Sequence, residues 1–364
     1  MKITDVRSLV LSIPLREATA FATTVVSARE YVIVTIDTDE GIEGTGFAVG
    51  TRHPGEGHLI GTAVQRSLKD LLVGETPFAV ERLWERMYQH TLLVGRRGAV
   101  LRAISALDIA LWDIAGKAAE RPLYQLLGGH RDAVPCYASG GYYREGKGLD
   151  GLAAEMGRYL AAGFTSVKMK VGRLDAREDA ERVRVARETI GPGVQLALDA
   201  NNAWPDAPTA IRAVRMVEEY DPWWIEEPVM PDNVPASAAV AAALDLPVAT
   251  GEHEATRWGF RDLLDRKAAD IVQPDATVCG GVTEWIRIAH MAAGWDVPVA
   301  PHWFANLHVH LVAAVPNGLT VEFFVLEEDV FNFERVVRDP LRPAGGMLEV
   351  PQRPGHGIVL DGDG

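Results

Sequence analysis

From about residue 134, short runs of β-forming residues alternate with helical stretches in one sustained rhythm. Eight such runs follow one another: "VPCYASG", "TSVKMKVG", "VQLALDAN", "WWIEEPV", "LPVATGE", "DIVQPDA", "VPVAPHW" and "LTVEFF". Strand-length apolar runs separated by helices are typical of parallel strands that are buried on both faces. Seven βα units and a last strand therefore predict a (β/α)7β TIM-like barrel over residues 126–324.

The competing fold is an open, doubly wound α/β sheet. A dinucleotide-binding sheet of that type carries GxGxxG after an early strand, and no such motif occurs here. Eight strands of similar length at near-even spacing favour closure into a barrel instead.

The segments on either side of the barrel have different patterns. Residues 1–125 predict an N-terminal α+β capping domain, since "YVIVTIDTDEGIEGTGFAV" is typical of an antiparallel hairpin with "DEG" at its bend. The later stretches "HLIGTAVQRSLKDLLVG" and "LRAISALDIALWDIAGKAA" carry apolar residues at helical spacing. Residues 325–364 are rich in glycine and proline, and we expect them to pack back on the capping domain.

Composition narrows the classes of partner. The chain has 364 residues and a formal net charge of −14, which disfavours nucleic acid and anionic membranes because both need a basic surface. We find no apolar run of membrane-spanning length and no secretory signal. The only cysteines, Cys136 and Cys279, are far apart and predict free thiols in a cytoplasmic protein.

Ionisable side chains lie at the ends of seven consecutive predicted strands. The carboxyl ends of barrel strands converge on one mouth, where barrel enzymes carry out their chemistry. One such residue could be accidental, but a set in register indicates a site. In chain order the residues are Lys168 and Lys170, Asp199, Glu226 and Glu227, Glu252, Asp275, His302, and Glu322.

Three carboxylates from neighbouring strands predict a metal site. Asp199, Glu226 and Glu252 offer hard oxygen ligands, which suit an octahedral Mg²⁺ that keeps positions for water or substrate. Zinc is disfavoured because no cysteine or histidine joins the trio. Within the fifth strand's segment, His253 or Glu254 could be the inward group instead, and we expect Glu227 to lie behind the ligands.

Beside this metal, the remaining residues form an acid–base set. Lys168 and Lys170 stand two apart on a strand and therefore share a face. We expect Lys168 to contact a substrate carboxylate and its charge to lower the pKa of Lys170 toward the working pH, so that Lys170 can act as a base. His302 is expected to be held by Asp275 on the preceding strand and to face Lys170 across the mouth.

The chemistry that this set implies is proton abstraction next to a carboxylate. That carbon is a very weak acid, so a lysine alone could not deprotonate it. A metal that binds the carboxylate stabilises the resulting enediolate by several kcal/mol.

The chain resembles the enolase superfamily, mandelate racemase subgroup, over nearly its full length. The matching pieces are "KMK", "DAN", "IEEP", "GEHE", "QPD", "CGGVTEW", "PHW", "VEFF" and, near the end, "PGHGI". Sites that pair a Lys or His base with Mg²⁺ are a documented property of this superfamily. The subgroup's muconate-lactonizing branch carries a lysine at the end of the sixth strand, where this chain has Asp275.

The resemblance assigns a role to each residue and implies a homo-oligomer. Asp199, Glu226 and Glu252 would bind Mg²⁺, Lys170 would be the base on one face, and His302 with Asp275 the acid or base on the other. Hydrogen bonds to the substrate carboxylate would come from Glu322, assisted by Lys168 and Asn201.

Two features of this chain resemble different members of the subgroup. "GEHEATRWGFR" resembles acid-sugar dehydratases of the rhamnonate type, in which a histidine follows the third metal ligand, and this places His253 among the substrate-binding residues. The paired lysines with a histidine are more similar to galactarate and talarate dehydratases and to mandelate racemase.

The expected reaction is dehydration of an acid sugar, a small-molecule carboxylate, to a 2-keto-3-deoxy sugar acid. Racemisation or epimerisation of a 2-hydroxy acid and cycloisomerisation of a sugar lactone share the same first step and stay open, as does a barrel that only binds its ligand. Specificity is expected to lie in the capping-domain segments Leu15 to Arg29 and Thr51 to Gly57.

Several of these residues also have a purely structural explanation. Lys168 and Lys170 could protect a solvated edge strand. His302 could be a satisfied core histidine, and Glu322 could belong to a structural ion pair, because a buried unpaired carboxylate is costly.

Overall fold

The computed structural model describes residues 1–50 and 55–361, so the predicted specificity segment Thr51 to Gly57 lies largely outside the described residues. The chain begins with an antiparallel sheet in the order β1-β2-β3. Its strands are β1 (Ile3–Phe21), β2 (Thr24–Thr38) and β3 (Glu43–Gly50). The predicted hairpin is confirmed as β2–β3, in which Tyr31 pairs with Val49, and Gly41 at its bend has a φ of 77°.

Helices complete the N-terminal part of the chain. They are α1 (Glu56–Ala63), α2 (Lys69–Leu72), α3 (Val80–His90), α4 (Ala99–Ala118) and α5 (Leu123–Leu126), with a π-helical turn at Val64–Leu68. The long helix α4 packs against β3 and is apolar on most of its surface, as expected for a helix covered on two sides.

The predicted barrel is confirmed. Seven parallel strands run in the order β10-β4-β5-β6-β7-β8-β9. They are β4 (Ala133–Gly140), β5 (Ser166–Lys170), β6 (Gln195–Asp199), β7 (Ile225–Glu226), β8 (Val248–Thr250), β9 (Ile271–Val272) and β10 (Val321–Phe323).

The predicted seventh strand, "VPVAPHW", is reduced to a bridge at Val299. Val299 pairs in parallel with Val272 on one side and with Gly318 on the other, and so closes the ring between β9 and β10. The flanking Pro298 and Pro301 have no N–H to donate, which limits the ladder to this short piece.

The barrel helices follow their strands in turn, so every carboxyl end of a strand opens on the same side. They are α6 (Leu149–Ala161), α7 (Ala176–Ile190), α8 (Ala207–Arg215), α9 (Val234–Ala243), α10 (Thr256–Asp265), α11 (Ala276–Cys279), α12 (Gly281–Ala293) and α13 (Ala305–Ala314). Short 3₁₀ turns lie at Glu218–Tyr220, Leu326–Glu328 and Phe333–Val336. No helix among the described residues is long and apolar enough to cross a membrane.

The C-terminal segment contacts both parts of the molecule. Strand β11 (Met347–Glu349) pairs antiparallel with β4 of the barrel. The expected contact with the capping region is also present: Leu123 N donates to Gly355 O at 2.7 Å, and His356 Nε2 lies 2.8 Å from Thr45 O. The domain limits at residues 125 and 324 stay a prediction.

Aromatic packing joins the cap to the barrel. The ring of Phe47 on β3 lies 5.0 Å from Phe304 at the start of α13, and the Tyr31 ring lies 5.1 Å from Phe333. These side chains are buried in one continuous core, so the cap sheet covers the barrel mouth. Cys136 and Cys279 are both buried free thiols, as predicted.

A second contact, which we call the α4–α12 clasp, is polar and is formed by Ser105, Asp108, Gly280, Gly281 and Thr283. Gly280 N donates to Ser105 Oγ at 3.0 Å. Thr283 donates to both oxygens of Asp108, from its backbone N at 2.9 Å and its hydroxyl at 2.6 Å. The clasp fixes the corner between α11 and α12. Asp275 is the N-cap residue of α11, so this corner lies one short helix after Asp275.

The clasp predicts a strong effect at Gly281. An added Cβ would lie 2.3 Å from Asp108 Oδ2, and Gly281 has a φ of 92°. We expect Gly281→Ala to lower the free energy of unfolding by about 2–4 kcal/mol, because both the clash and the backbone strain act against folding. Gly157→Ala, inside α6 with open space around it, is the matched control and should be neutral or slightly stabilising in the same denaturation experiment.

The buried carboxyl group of Asp108 predicts a pH-dependent stability. Burial raises the pKa of Asp108 to about 7, above the value near 3.9 of an unfolded chain. The folded state therefore holds an extra proton between these two values, and its stability falls as pH rises through that window. Asp108→Asn cannot ionise, so relative to the wild type it should gain roughly 2–4 kcal/mol between pH 4 and 7.5. Parallel stability curves from urea denaturation would contradict this prediction.

Candidate active site

The structure brings the predicted site residues together at the barrel mouth. The sheet register pairs Lys170 with Asp199 and Asp199 with Glu226, so the ends of β5, β6 and β7 lie level with one another. Glu252 and His302 follow β8 and the Val299 bridge, and both approach this point from the far side of the ring. The edge-strand explanation for the two lysines is wrong, because β5 lies inside the barrel and both side chains are buried.

Asp199, Glu226 and Glu252 each place a carboxylate oxygen within 4.8 Å of the other two. All three side chains are buried. Burial raises the pKa of Glu226 to about 7, and repulsion from the nearby Asp199 carboxylate adds to the rise. A divalent cation among these oxygens would relieve that repulsion, and an all-oxygen donor set fits Mg²⁺.

A second, overlapping set consists of Glu227, Glu252 and His253. His253 Nε2 lies 3.4 Å from Glu252 Oε1 and 3.6 Å from Glu227 Oε2. Because this set mixes carboxylates with an imidazole, it is the poorer match to a hard cation such as Mg²⁺. Glu254 instead faces Arg97, at 3.1 Å, and its carboxylate is not part of either set.

The backbone at the ends of β6 and β7 is bent into the left-handed region. Asn201 and Asn202 have φ values of 43° and 61°, which asparagine tolerates better than most residues. Glu227 has a φ of 44°, a strained conformation, and the Asn202 side chain donates to its carboxylate at 3.0 Å. This bend turns Glu226 and Glu227 in different directions and leaves Glu226 with the metal-ligand candidates.

The two lysines have different surroundings. Lys168 is 1% exposed, and its ammonium lies 2.7 Å from Glu226 Oε1 and 2.9 Å from Glu322 Oε1. Lys170 donates to Asp199 and lies 4.9 Å from the centre of the Tyr142 ring. Burial alone would lower the pKa of Lys168, but Glu226 and Glu322 outweigh it and raise that pKa well above its ordinary value.

The expected lowering of the Lys170 pKa is wrong for this arrangement. Burial, the largest single effect, and Lys168 both lower the pKa of Lys170, but Asp199, Tyr142 and Glu226 together outweigh them and the pKa is raised. The strand spacing of two places Lys168 beside Lys170 but does not show that the Asp199 carboxylate lies closer. A cation bound to Asp199 would offset the negative charge that causes this rise.

The predicted dyad of His302 and Asp275 is present. His302 Nδ1 lies 2.9 Å from Asp275 Oδ2, while Asp275 Oδ1 accepts from the backbone N and the hydroxyl of Thr277 at 2.7 and 2.8 Å. Burial lowers the pKa of His302, but the carboxylates of Glu252 and Asp275 outweigh it and the net pKa is raised. A proton on Nδ1 directed at Asp275 leaves Nε2 for chemistry.

A cavity that is partly open to solvent lies between the cap and the barrel mouth. The barrel residues that line it include Lys170, Asn201, Glu252, His253, Asp275 and His302. Lys168 and Glu322 are not among the lining residues. Glu322 is 1% exposed and accepts from Trp303 N at 2.9 Å, so the structure places both residues beneath the cavity floor.

Sequence reasoning missed several residues of the cavity wall. Phe21, Arg29, Val49 and Arg102 reach it from the cap, and Tyr142 from the loop after β4. Phe21 and Arg29 lie within the predicted specificity segment Leu15 to Arg29, but neither was predicted as an individual site residue. The signals that could have found the others were weak: an arginine inside the apolar pattern of "LRAIS", and "GGYY" after the one predicted strand without an ionisable end.

A capped (β/α)7β barrel with a carboxylate trio, a lysine and a His–Asp dyad at its mouth defines an enzyme of the enolase superfamily. Residues 4–128 match the mandelate racemase/muconate lactonizing enzyme N-terminal domain, and residues 151–364 match the enolase C-terminal domain-like family. The chain belongs to the mandelate racemase/muconate lactonizing enzyme family.

Relatives of known activity include dehydratases and cycloisomerases. An arabinonate dehydratase from Saccharolobus solfataricus is 36% identical over 95% of this chain and 92% of its own length. A 3,6-anhydro-alpha-L-galactonate cycloisomerase from Streptomyces coelicolor is 35% identical over 91% of this chain and 89% of its own length. Acid-sugar chemistry is therefore the common theme of these relatives.

Solved structures match over the full length. A racemase from Streptomyces coelicolor with bound magnesium has a TM-score of 0.93 and 33% identity, over 99% of this chain and 98% of that chain. An L-talarate dehydratase from a Polaromonas species, complexed with Mg and L-glucarate, has a TM-score of 0.89 and 33% identity, over 100% of this chain and 96% of that chain. These neighbours hold magnesium, and this chain has acidic residues that could form such a site.

Proposed function

We propose that this enzyme is a Mg²⁺-dependent acid-sugar dehydratase, which converts an acid sugar to a 2-keto-3-deoxy sugar acid. The observation that carries the proposal is that Lys170, the His302–Asp275 dyad and Glu252 all line one cavity. A base, an acid and one ligand of the proposed metal site, Glu252, would thus face the same substrate molecule. Dehydratases among the relatives support the same reaction.

Each residue has a defined task in this proposal. Lys170 takes the proton from the carbon next to the carboxylate, and the electron pair left behind expels the hydroxyl group from the next carbon. His302 gives a proton to that hydroxyl, which leaves as water, and the enol product rearranges to the 2-keto acid. Mg²⁺ held by Asp199, Glu226 and Glu252 would supply positive charge to the substrate carboxylate as negative charge develops there.

Asp275 and the buried residues support these groups. Asp275 fixes the ring orientation and the tautomer of His302 through the 2.9 Å contact. Lys168 and Glu322 lie beneath the cavity floor, and their contact with the substrate carboxylate stays a prediction. Asn201 and His253 line the cavity and are proposed to bind substrate hydroxyl groups.

Racemisation or epimerisation is the second candidate, and a specific observation favours it. Lys170 and His302 come from opposite sides of the barrel ring and line the same cavity, so one could remove the α-proton and the other return it. Cycloisomerisation has the support of a relative but of no separate feature of the site. We also propose that the protein is cytoplasmic and that it forms a homo-oligomer. Sedimentation of the purified protein would test the oligomeric state.

Screening separates these candidates. The enzyme, Mg²⁺ and a panel of mono- and diacid sugars in D₂O should give a 2-keto product from at least one sugar. Loss of optical rotation in a 2-hydroxy acid without keto product would establish the racemase instead. A protein that only binds its ligand would introduce no deuterium at the α-carbon of any compound in the panel.

A further inference from the structure

His308 contacts the backbone next to both members of the proposed acid–base dyad. It lies on α13, and its side chain is fully buried. Its Nε2 accepts a hydrogen bond from Ala276 N at 3.0 Å, and its Nδ1 lies 2.7 Å from Trp303 O. Ala276 directly follows Asp275, and Trp303 directly follows His302. One imidazole therefore joins the segment that carries the carboxylate to the segment that carries the proposed acid.

The two partners of His308 determine where its proton lies. The Ala276 amide can only donate, so Nε2 must be the unprotonated nitrogen. The Trp303 carbonyl can only accept, so the proton of the ring lies on Nδ1. Burial outweighs the nearby Asp275 carboxylate and lowers the pKa of His308, which agrees with a neutral ring. Both ring nitrogens are therefore occupied in holding the backbone, and neither is left for acid–base chemistry.

This arrangement reserves the Asp275 carboxylate for His302. Asp275 Oδ1 lies 3.9 Å from His308 Nε2, beyond hydrogen-bond distance, and accepts from Thr277 instead. Asp275 Oδ2 lies 2.9 Å from His302 Nδ1. Because His308 Nε2 carries no proton, it cannot donate to the carboxylate. Of these two histidines, only His302 can share a proton with Asp275.

The turn between His302 and α13 has a strained backbone. Trp303 and Phe304 have φ values of 56° and 35°, in the left-handed region that bulky residues rarely adopt. The Trp303 N–H donates to Glu322 Oε2 at 2.9 Å, and the Trp303 carbonyl accepts from His308. A strained conformation persists only where the surrounding structure holds it. The hydrogen bond from His308 thus helps to hold this turn, and with it the direction of the His302 ring.

We infer that His308 is a positioning residue for proton transfer by the His302–Asp275 dyad. It is not among the described residues that line the cavity, so it acts through the dyad and not on the substrate. By fixing the backbone that follows each member, it sets the 2.9 Å contact between them before a ligand binds. This inference rests on the proposed function, in which His302 gives a proton to the departing hydroxyl group.

His310 provides a matched control on the same helix. It is equally buried, but its Nε2 lies 3.0 Å from His356 O in the C-terminal segment. A general loss of packing around α13 should therefore appear in variants at both positions. A loss of dyad geometry should appear only in variants at His308.

Removal of both hydrogen bonds should slow the chemistry and leave binding unchanged. We expect His308→Phe to lower kcat for the 2-keto product about 10- to 100-fold, because a displaced proton donor acts on the transition state. KM should stay close to that of the wild type. His308→Gln can still accept from Ala276 N, and His308→Asn can still donate to Trp303 O, so each should retain more activity than His308→Phe. His310→Gln should keep the wild-type kcat per folded enzyme.

Nuclear magnetic resonance gives a readout that needs no substrate. In wild-type protein with ¹⁵N-labelled histidine, the ring shifts should show His308 protonated on Nδ1 and unprotonated on Nε2. The hydrogen-bonded Nδ1 proton of His302, identified by its absence in His302→Asn, should be lost in His308→Phe and persist in His310→Gln. If His308→Phe does not fold, the same signal is measured in His308→Gln and His308→Asn, where it should be weakened.

The outcomes separate this inference from the proposed function. A proton on Nε2 of His308 in the wild type, or variants at His308 that keep both the His302 signal and the wild-type kcat, would overturn the inference. So would His310→Gln with the same loss of kcat as His308→Phe. If no sugar exchanges its α-proton, the proposed function fails, and the His302 signal still decides whether His308 positions the dyad.

Discussion

Treatment with EDTA is expected to abolish turnover, and added Mg²⁺ to restore it. Asp199, Glu226 and Glu252 lie close enough to share one ion, and burial, together with repulsion from the neighbouring carboxylates, raises the pKa of Glu226 to about 7. Without the ion, negative charge on the substrate carboxylate would have to be stabilised by side chains such as Lys168 and Lys170, which are already paired with carboxylates. We expect a loss of at least about 10³-fold in kcat, which corresponds to several kcal/mol.

Binding of the ion can be measured apart from activity. Titration calorimetry should show one Mg²⁺ per chain, and Glu226→Gln should lose this binding while circular dichroism shows that the fold persists. Glu181→Gln, which removes an exposed carboxylate on α7, is the matched control and should bind Mg²⁺ like the wild type. Full turnover after EDTA, together with trapping of a substrate adduct by borohydride, would point to a Schiff-base lysine and contradict the proposal.

The barrel and the set of charged strand ends were predictable because a strand has a simple period. Side chains two apart share a face, and the carboxyl ends of all barrel strands open on one side, so Asp199, Glu226 and His302 could be placed together without coordinates. The seventh strand was predicted at full length and is a bridge at Val299, since Pro298 and Pro301 remove donors from its ladder.

How deep each side chain lies within the barrel could not be predicted from the two-residue period of a strand. Lys168 stands two residues before Lys170, which places it about 6.6 Å lower along the strand. One lysine lines the cavity and the other lies below its floor, held by Glu226 and Glu322. Arg29 and Arg102 reach the site through the packing of β2 and α4 over the mouth, which the local sequence pattern signals only weakly.

Single replacements of the two proposed proton-transfer residues should give different defects. We expect Lys170→Met to lower kcat by about 10²–10⁴-fold and to stop exchange of the substrate α-proton with D₂O, because the base is gone. His302→Asn should lower formation of the 2-keto product by a similar factor while exchange continues, since Lys170 still removes the proton but no acid assists departure of the hydroxyl. Measuring both rates on the same samples separates the two steps.

The pattern of defects decides which residue is the base. Lys267→Met and His290→Asn remove an exposed lysine and an exposed histidine from outside the cavity, and both should keep wild-type rates. If exchange instead stops in His302→Asn and survives in Lys170→Met, the imidazole is the base and the two roles are reversed. Because Asp275 contacts the His302 imidazole at 2.9 Å, Asp275→Asn should reproduce the His302→Asn defect in either case, and this links the dyad to whichever step His302 performs.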